Sequence, residues 1–461
     1  MILIHDFLLN LSLASIILSL VLPVLLNNVY NKVVVLRILV NTGEEVLRMY
    51  ALIVHHYWNR AGGGQLVCAS VSKVLEFMGF DPVLVSTVRI DVSKYPEWFG
   101  IDLSRYPRVD LGFELKAFGI YLRLLVGSAI KKALKRYSAD LVFTDECTYK
   151  RVVDLLKKKK VKLVEYIHFP VEASFREEFR GTGVYYGEDP YVLERYGRFP
   201  MNIYYKMYLK LLPFFLRDNP FNDASLVFTN SKWTAELSKI VYGEKPEVLN
   251  PPLPPRTGLV ENIVPFDIRD NAVVMVGRFS EEKRYHWVIK DVFPKLRKVL
   301  GDVKLFIFGA TGTRTARMYF SKLIDIARST EFKVSTILGI DADIYLVENA
   351  PRDTINMVMD KAKVFLHATI NEHWGIAVAE AMARGLPVVV HRSGGTWSDL
   401  AGEGVYGLGY TTDDEAVEMI SKVLSDNSTW RYYSTKSIER AKDLTFDRFV
   451  EKTSQLIKKI L

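Results

Sequence analysis

A run of prolines near the middle of the chain constrains the fold most. In LNPPLPPRTG, starting at Leu249, four of the five positions from Pro251 to Pro255 are proline. Proline fixes φ and lacks a backbone N–H, so this segment belongs to neither helix nor sheet and reads as a stiff connector. The 461 residues therefore divide into two large halves. Each half repeats one pattern. Before the connector, Tyr50–His55, Val83–Val88, Ala139–Thr144 and Leu163–His168 are strand-like. Leu66–Met78 has helical apolar spacing, and a basic helix ends in KKALKRY, Lys131–Tyr137. After it, Ala272–Val276, Lys304–Phe308, Val364–Ala368 and Pro387–His391 are strand-like, separated by helices near Tyr285–Leu300, Thr313–Ala327, Arg352–Ala362 and Ile376–Arg384. Repeated strand–helix–strand units predict an α/β chain with two doubly wound parallel sheets. Ligands of such sheets sit at the carboxyl ends of the strands, and two facing sheets enclose a cleft. The expected organisation is an N-terminal extension (1–48), a first Rossmann-like domain (49–255), a second (256–445) and a basic amphipathic C-terminal helix (446–461).

Composition narrows the classes. Charged residues at 25% and apolar residues at 49% fit a packed globular chain and exclude wholesale disorder, collagen, coiled coil and a multi-span membrane protein. A net charge of +8 favours anionic partners without choosing one. Two cysteines, Cys68 and Cys147, make no disulfide framework, and a reducing compartment is expected. Residues 1–48 carry two open readings. Phe7–Leu26 is 20 residues without charge, enough to cross a hydrocarbon layer of about 30 Å, and the flanking Lys32 and Arg37 would leave the body cytoplasmic. Alternatively Gly43-Glu44-Glu45-Val46 reflects a purine-rich ribosome-binding stretch and the native chain starts at Met49.

The most specific constellation is INEHWGIAVAEAMARGLPVVVHRSGG, Ile370–Gly395. Glu372 falls in a loop after a strand, where a carboxylate can accept from sugar hydroxyls. The N–H groups of Trp374, Gly375 and Ile376 open a helix and suit a phosphate. Glu380, expected two turns into that helix, suits two ribose hydroxyls. In VGRFSEEKRYHWVI, Val276–Ile289, a strand end is followed by Arg278 and Lys283, a planar fork and a point charge suited to a diphosphate. In RAGGGQLV, Arg60–Val67, the glycines Gly62, Gly63 and Gly64 follow the first strand and admit a phosphate or substrate close to the backbone. This is not GxGxxG, and the second strand ends near Ser86-Thr87 without an acid for a ribose, so a dinucleotide-dependent oxidoreductase is disfavoured. His168 in EYIHFP ends a strand and is expected to donate a hydrogen bond to a sugar hydroxyl across the cleft. Three features read as decoys. Asp341-Ala342-Asp343 spells DxD far from the other motifs, and His55-His56 are strand neighbours pointing oppositely. Lys157–Lys160 reads as a solvated helix end. No metal and no cofactor is expected.

In order, the glycine loop, IHFP, NPP connector, GR…K pair, Glu372-x7-Glu380 and SGG resemble the retaining, nucleotide-sugar-dependent glycosyltransferases of GT-B architecture, glycosyltransferase family four, over nearly all of 49–461. Asn371–Gly395, TNSKWT (Thr229–Thr234) and EYIHFP (Glu165–Pro170) are similar to the lipid-linked-oligosaccharide α-1,2-mannosyltransferases of asparagine-linked glycosylation. That branch shares His373 after the first glutamate, where most of the wider family has glycine; it carries four glycines where this chain has Gly62–Gly64. The resemblance implies GT-B, two Rossmann-like domains facing across a cleft. It implies Arg278 and Lys283 on the donor diphosphate, Glu380 on the ribose, Glu372 on the donor sugar and His168 on a sugar hydroxyl. It further implies transfer of a hexose, mannose from GDP-mannose, to a lipid-linked glycan, with configuration retained and without a metal. A soluble transferase making a disaccharide or polysaccharide from a UDP- or ADP-sugar is the alternative. A lipid-linked acceptor implies membrane contact at the cytoplasmic face. Phe118–Tyr137 and Tyr204–Arg217 mix aromatic, aliphatic and basic residues as a headgroup interface does, or are core helices with basic ends. No nucleic-acid partner is expected.

Overall fold

The computed structural model describes residues 48–114 and 119–461, and Met49–Leu461 forms one compact unit. The apolar run at 7–26 and Phe118 lie outside the described residues.

Two seven-stranded sheets account for the alternation, and every pairing in them is parallel. The first contains β1 (Tyr50–Val54), β2 (Asp81–Val88), β3 (Arg108–Phe113), β4 (Ala139–Thr144), β5 (Lys162–Ile167), β6 (Leu226–Thr229) and β7 (Glu247–Val248) in the order 3-2-1-4-5-6-7. The second contains β8 (Asp270–Arg278), β9 (Lys304–Ala310), β10 (Val334–Ser335), β11 (Ile344–Glu348), β12 (Ala362–His367), β13 (Val388–His391) and β14 (Leu408–Tyr410) in the order 10-11-9-8-12-13-14. The central strands are buried on both faces, which explains their nearly continuous Val/Ile/Leu/Phe runs. Strand order reverses at β1/β4 in one sheet and at β8/β12 in the other, which is where such sheets open a crevice.

Seven helices matter for the site: α1 (Gly63–Phe77), α2 (Val126–Arg136), α3 (Met201–Leu211), α4 (Lys232–Tyr242), α5 (Arg352–Lys361), α6 (Ile376–Ala383) and α7 (Phe446–Lys458). Helix α1 starts three residues earlier than the apolar spacing predicts, so Gly63 and Gly64 form its first turn and Gly62 caps it. The C-terminal helix α7 does not extend the second half. Phe449 and Ile457 pack into the first-half core beside Leu66 and Ala69, and Lys452 donates to the Val248 carbonyl at 2.6 Å.

Helix α2 buries Val126, Ala129, Ile130 and Ala133 against the first sheet, so the 119–137 stretch is a core helix with a basic outer face. Helix α3 differs. Ile203, Met207, Leu211 and the following Phe214 are exposed, interleaved with exposed Lys206 and Lys210. Arg217, which closes that segment, does not join the basic surface. It is 2% exposed, paired with Glu165 at 2.7 Å and Glu172 at 3.2 Å, and donates to the Tyr242 hydroxyl at 2.7 Å. Burial pushes the Glu165 carboxyl up, to about 7, against the pull of Arg217. Because Glu165 stands on β5 three residues before His168, this buried pair anchors the strand that presents the histidine. Removing one member of a buried pair leaves the other charge unpaired. Arg217→Ala is therefore expected to lower unfolding free energy by about 3–5 kcal/mol, measured by denaturant titration.

Candidate active site

In the second half the reactive groups gather past the ends of β8 and β12. A tight turn at Glu281–Lys283 returns Lys283 toward the sheet, and its Nζ donates to Glu372 Oε2 at 2.5 Å. His367, the last residue of β12, meets the same oxygen through Nε2 at 3.2 Å. Burial pushes the Glu372 carboxyl up, but Lys283 and then His367 outweigh it and hold it well below the usual carboxylate range. Arg278 stands at the rim, 61% exposed, and pairs with Glu282 at 3.3 Å. Of the two cations in the motif, one is drawn inward and one faces outward.

Behind Glu372 the chain turns through Gly375, at φ +93°, into α6. The N–H groups of Trp374, Gly375 and Ile376 take no acceptor among the described residues, as expected of a helix start. The loop holds its place because 393–395 runs against it: a Cβ on Gly395 would stand 2.1 Å from the His373 carbonyl oxygen, and Gly395 N–H donates to the Glu372 carbonyl at 2.7 Å. Glu380 lies one turn into α6, nearer its start than the sequence suggests, and does not touch the Lys283–Glu372 group. It is 3% exposed, and Oε1 accepts from Arg352 at 2.6 Å and from Thr257, just past the connector, at 3.5 Å. Burial raises its carboxyl against the pull of Arg352. Arg352 carries no motif; its place at the predicted start of α5 was the only signal.

The first half contributes a second group. Val54 and Thr144 are partners in the β1/β4 register, so the residues that follow, His55 and Asp145, emerge side by side. His55 Nδ1 lies 2.8 Å from Asp145 Oδ1, and His168 Nε2, past β5, lies 3.0 Å from Oδ2. His56 Nδ1 meets Glu146, which also pairs with Arg123 at 3.1 Å. The alternation that would send His55 and His56 to opposite faces does not apply, because both lie beyond the strand end. His55, His56 and Glu146, or His55, Cys68 and Asp145, are close enough to share an ion; each carboxylate also has cationic or N–H partners of its own. Glycine is required at 64: a Cβ there would stand 2.8 Å from Asp145 Oδ2 and 3.3 Å from His168 Nε2. The DxD residues lie apart, Asp341 paired with Lys333 at 2.8 Å and Asp343 with Arg297 at 3.1 Å. Lys157–Lys160 are exposed, as read from the sequence.

The two groups meet. A Cβ on Gly63 would lie 3.5 Å from Ile376 Cδ1, and Ile376 packs against the cores of both halves. Phe169, next to His168, stacks on His373, next to Glu372, with centroids 4.6 Å apart and planes at 13°; Trp233, on α4, adds a second ring at 5.8 Å and 18°. Thus the three sequence segments that carry the resemblance share one aromatic stack. Burial, then His168 and Lys283 against the opposing pull of Glu372, lowers the His373 imidazole to about 4. It is neutral in the fold and charges more easily unfolded, so stability present above about pH 6.5 is lost as pH falls toward 4. His373→Phe, which keeps a flat ring without the titration, is expected to match the parent at pH 7.5 and exceed it by about 2 kcal/mol at pH 5. Parallel denaturation curves at the two pH values check this.

A family profile described as glycosyl transferases group 1 matches residues 261–442. The chain is similar to the GDP-Man:Man(3)GlcNAc(2)-PP-Dol alpha-1,2-mannosyltransferase of Homo sapiens, 26% identical over 51% of this chain and 49% of that protein. It is similar to the protein of the same description from Eremothecium gossypii, 23% identical over 52% and 39%. These matches span less than half the length of those two relatives. A crystal structure of a glycosyltransferase from Rickettsia africae superposes with a TM-score of 0.63 at 14% identity, covering 90% of this chain and 99% of that one. Two parallel seven-stranded sheets with that neighbour are the GT-B fold, and residues 261–442 of its second half match the glycosyl transferases group 1 domain.

Proposed function

We propose that this chain transfers a hexose, mannose by preference, from a nucleotide-sugar donor such as GDP-mannose to a lipid-linked glycan acceptor. The observation that carries the reading is the junction of Lys283, Glu372 and the unpartnered N–H groups of Trp374, Gly375 and Ile376 with the His168 group of the other half. Sugar–diphosphate cleavage places growing negative charge on the leaving diphosphate, and a fixed ammonium beside a helix start stabilises that charge. Arg278, at the end of β8 and on the rim, reaches the diphosphate from solvent. Glu372, ionised, accepts from the donor sugar's hydroxyls, and Glu380, held by Arg352, accepts from the ribose through Oε2. The acceptor hydroxyl attacks from the leaving-group face and passes its proton to the departing phosphate, so configuration is retained and no residue need form a glycosyl ester. The first two cations do the electrostatic work, which supports a metal-independent transfer. The mannose and GDP assignments are supported by the relatives' descriptions, which name GDP-mannose donors and dolichol-linked acceptors.

A lipid-linked acceptor brings the chain to a membrane surface, at the cytoplasmic face. Among the described residues no helix is long and apolar enough to cross a membrane. The exposed row of Ile203, Met207, Leu211 and Phe214 with Lys206 and Lys210 suits an interfacial contact: apolar side chains enter the acyl boundary while ammonium groups meet anionic headgroups.

Two measurements test the reading. A thermal-shift screen of GDP-, UDP- and ADP-sugars, followed by transfer assays with lipid-linked and lipid-free acceptors, is expected to select GDP-mannose and the lipid-linked glycan; selection of a UDP- or ADP-sugar with a free sugar favours the soluble alternative. With the best donor, Lys283→Ala and Arg278→Ala are each expected to lower kcat by on the order of 10²-fold. Turnover unchanged in both overturns the donor-site assignment. On the membrane side, Met207→Glu with Phe214→Glu is expected to weaken binding to anionic phospholipid vesicles by about 10-fold or more, read by flotation at low salt.

A further inference from the structure

Asp145 is 2% exposed and receives groups from three elements. His55, after β1, approaches with Nδ1; His168, after β5, approaches with Nε2; the Cys68 sulfur on α1 lies within 4.8 Å of the same carboxylate. Burial pushes the Asp145 carboxyl up, but His55 and then His168 draw it below its ordinary range, so it is an anion and can only accept. The nitrogen that each imidazole turns toward it therefore carries a proton. For His168 that fixes Nε2–H and leaves Nδ1, which takes no partner among the described residues, as the free end of a ring 31% exposed. The backbone is held as well, since Asn230 Nδ2 donates to the His168 carbonyl at 2.8 Å.

We propose that Asp145 is a positioning residue that locks His168 in the Nε2–H tautomer, so that the ring meets a sugar hydroxyl as a hydrogen-bond acceptor through Nδ1. The hydroxyl partner rests on the sugar-transfer reading above; the tautomer does not. This reverses the expectation that His168 donates. It also assigns a task to the buried His55: its Nδ1–H stands 2.8 and 2.9 Å from the two Asp145 oxygens and keeps the carboxylate from turning away from His168. Other charged or titratable groups near the pair include the Tyr166 ring, 4.8 Å from the His168 ring, Tyr95, whose hydroxyl donates to the Trp58 carbonyl, the neutral His373 across the junction, and Glu146, which is committed to His56 and Arg123. None of these offers His168 Nδ1 a competing hydrogen.

The test is the nitrogen spectrum of the full chain labelled with 15N-histidine at pH 8, where an ordinary imidazole is neutral. The His168 signals are identified by their loss in His168→Gln. The expected result is a protonated Nε2 and a bare Nδ1; a protonated Nδ1 overturns the proposal. In Asp145→Asn the amide presents N–H to one of the two rings, and that ring has to offer a lone pair. The wild-type signals of His168 and His55 are then expected not to persist together, and their joint persistence in the folded variant overturns the proposal. If Asp145→Asn does not fold, the wild-type tautomer still decides. With a working donor, Asp145→Asn is expected to lose about 10- to 100-fold in kcat/KM, the cost of a hydrogen bond facing the wrong way. A wild-type chain that transfers no sugar overturns the transferase reading and the hydroxyl partner, while the tautomer result stands on its own.

Discussion

Two carboxylates, the buried Asp145 and the partly buried Glu372, have to stay charged away from bulk water, and much of the local structure follows from that requirement. Removing an ion from water costs several kcal/mol even after relaxation, and only close opposite charges and hydrogen bonds repay it. Glu372 is repaid by Lys283 and His367, Asp145 by two imidazoles. Those partners arrive from different strands, so the strand registers are not free to slip. A one-residue shift of β1 against β4 would separate His55 from Asp145 and leave the buried anion with His168 alone. The small residues follow from the same demand. Position 64 is glycine because the space a methyl group needs is already filled by the Asp145–His168 contact.

The halves are joined by polar and apolar ties of similar reach. Asp399, 5% exposed in the second half, accepts from the Lys232 N–H at 2.8 Å and from Asn250 at 3.0 Å, and Arg440 returns a bond to Asn250 at 2.9 Å. The connector therefore runs between hydrogen-bonded posts, and Leu253 N–H adds a bond to the Leu444 carbonyl at 2.7 Å. Helix α7 carries the chain back onto the first core, so the second half is tethered at both of its ends. With the His373 stack and Ile376 at the mouth, these ties set where the loop of Glu372 stands relative to His168.

The fold was legible because its signals are local. Proline at 251–255 and the strand–helix alternation need only neighbouring residues, and parallel strands buried on both faces announce themselves as apolar runs. The second-half group was legible for the same reason: Lys283 and Glu372 each sit beside a strand end within a recognisable spacing. What stayed hidden depends on register between distant strands. His55 and Asp145 are 90 residues apart and adjacent only because β1 and β4 pair as they do. The strand boundaries, read as His55 and Thr144, already held the clue, since the residues at the mouths of neighbouring parallel strands have to meet. His55 was instead judged by strand alternation, which ends with the strand. Arg352 was hidden because an arginine opening a helix looks like any other, and only the fold sets it against Glu380.

The pairing of Lys283 with Glu372 also bears on how a charged donor would enter. An ammonium left bare in a partly buried site would pay desolvation without return, and a bare carboxylate would protonate. Paired, Lys283 keeps Glu372 ionised. On the transferase reading, a donor offers both groups new partners at once, diphosphate oxygens to the ammonium and sugar hydroxyls to the carboxylate. The exchange conserves the number of charge-assisted hydrogen bonds, so binding need not pay to uncover either charge. A nucleotide without its sugar completes only half of the exchange, because it takes the ammonium and leaves Glu372 with His367 alone. On that reading the Lys283–Glu372 pair favours the intact nucleotide sugar over its product, which is the difference such a transferase would need in order to release what it has made.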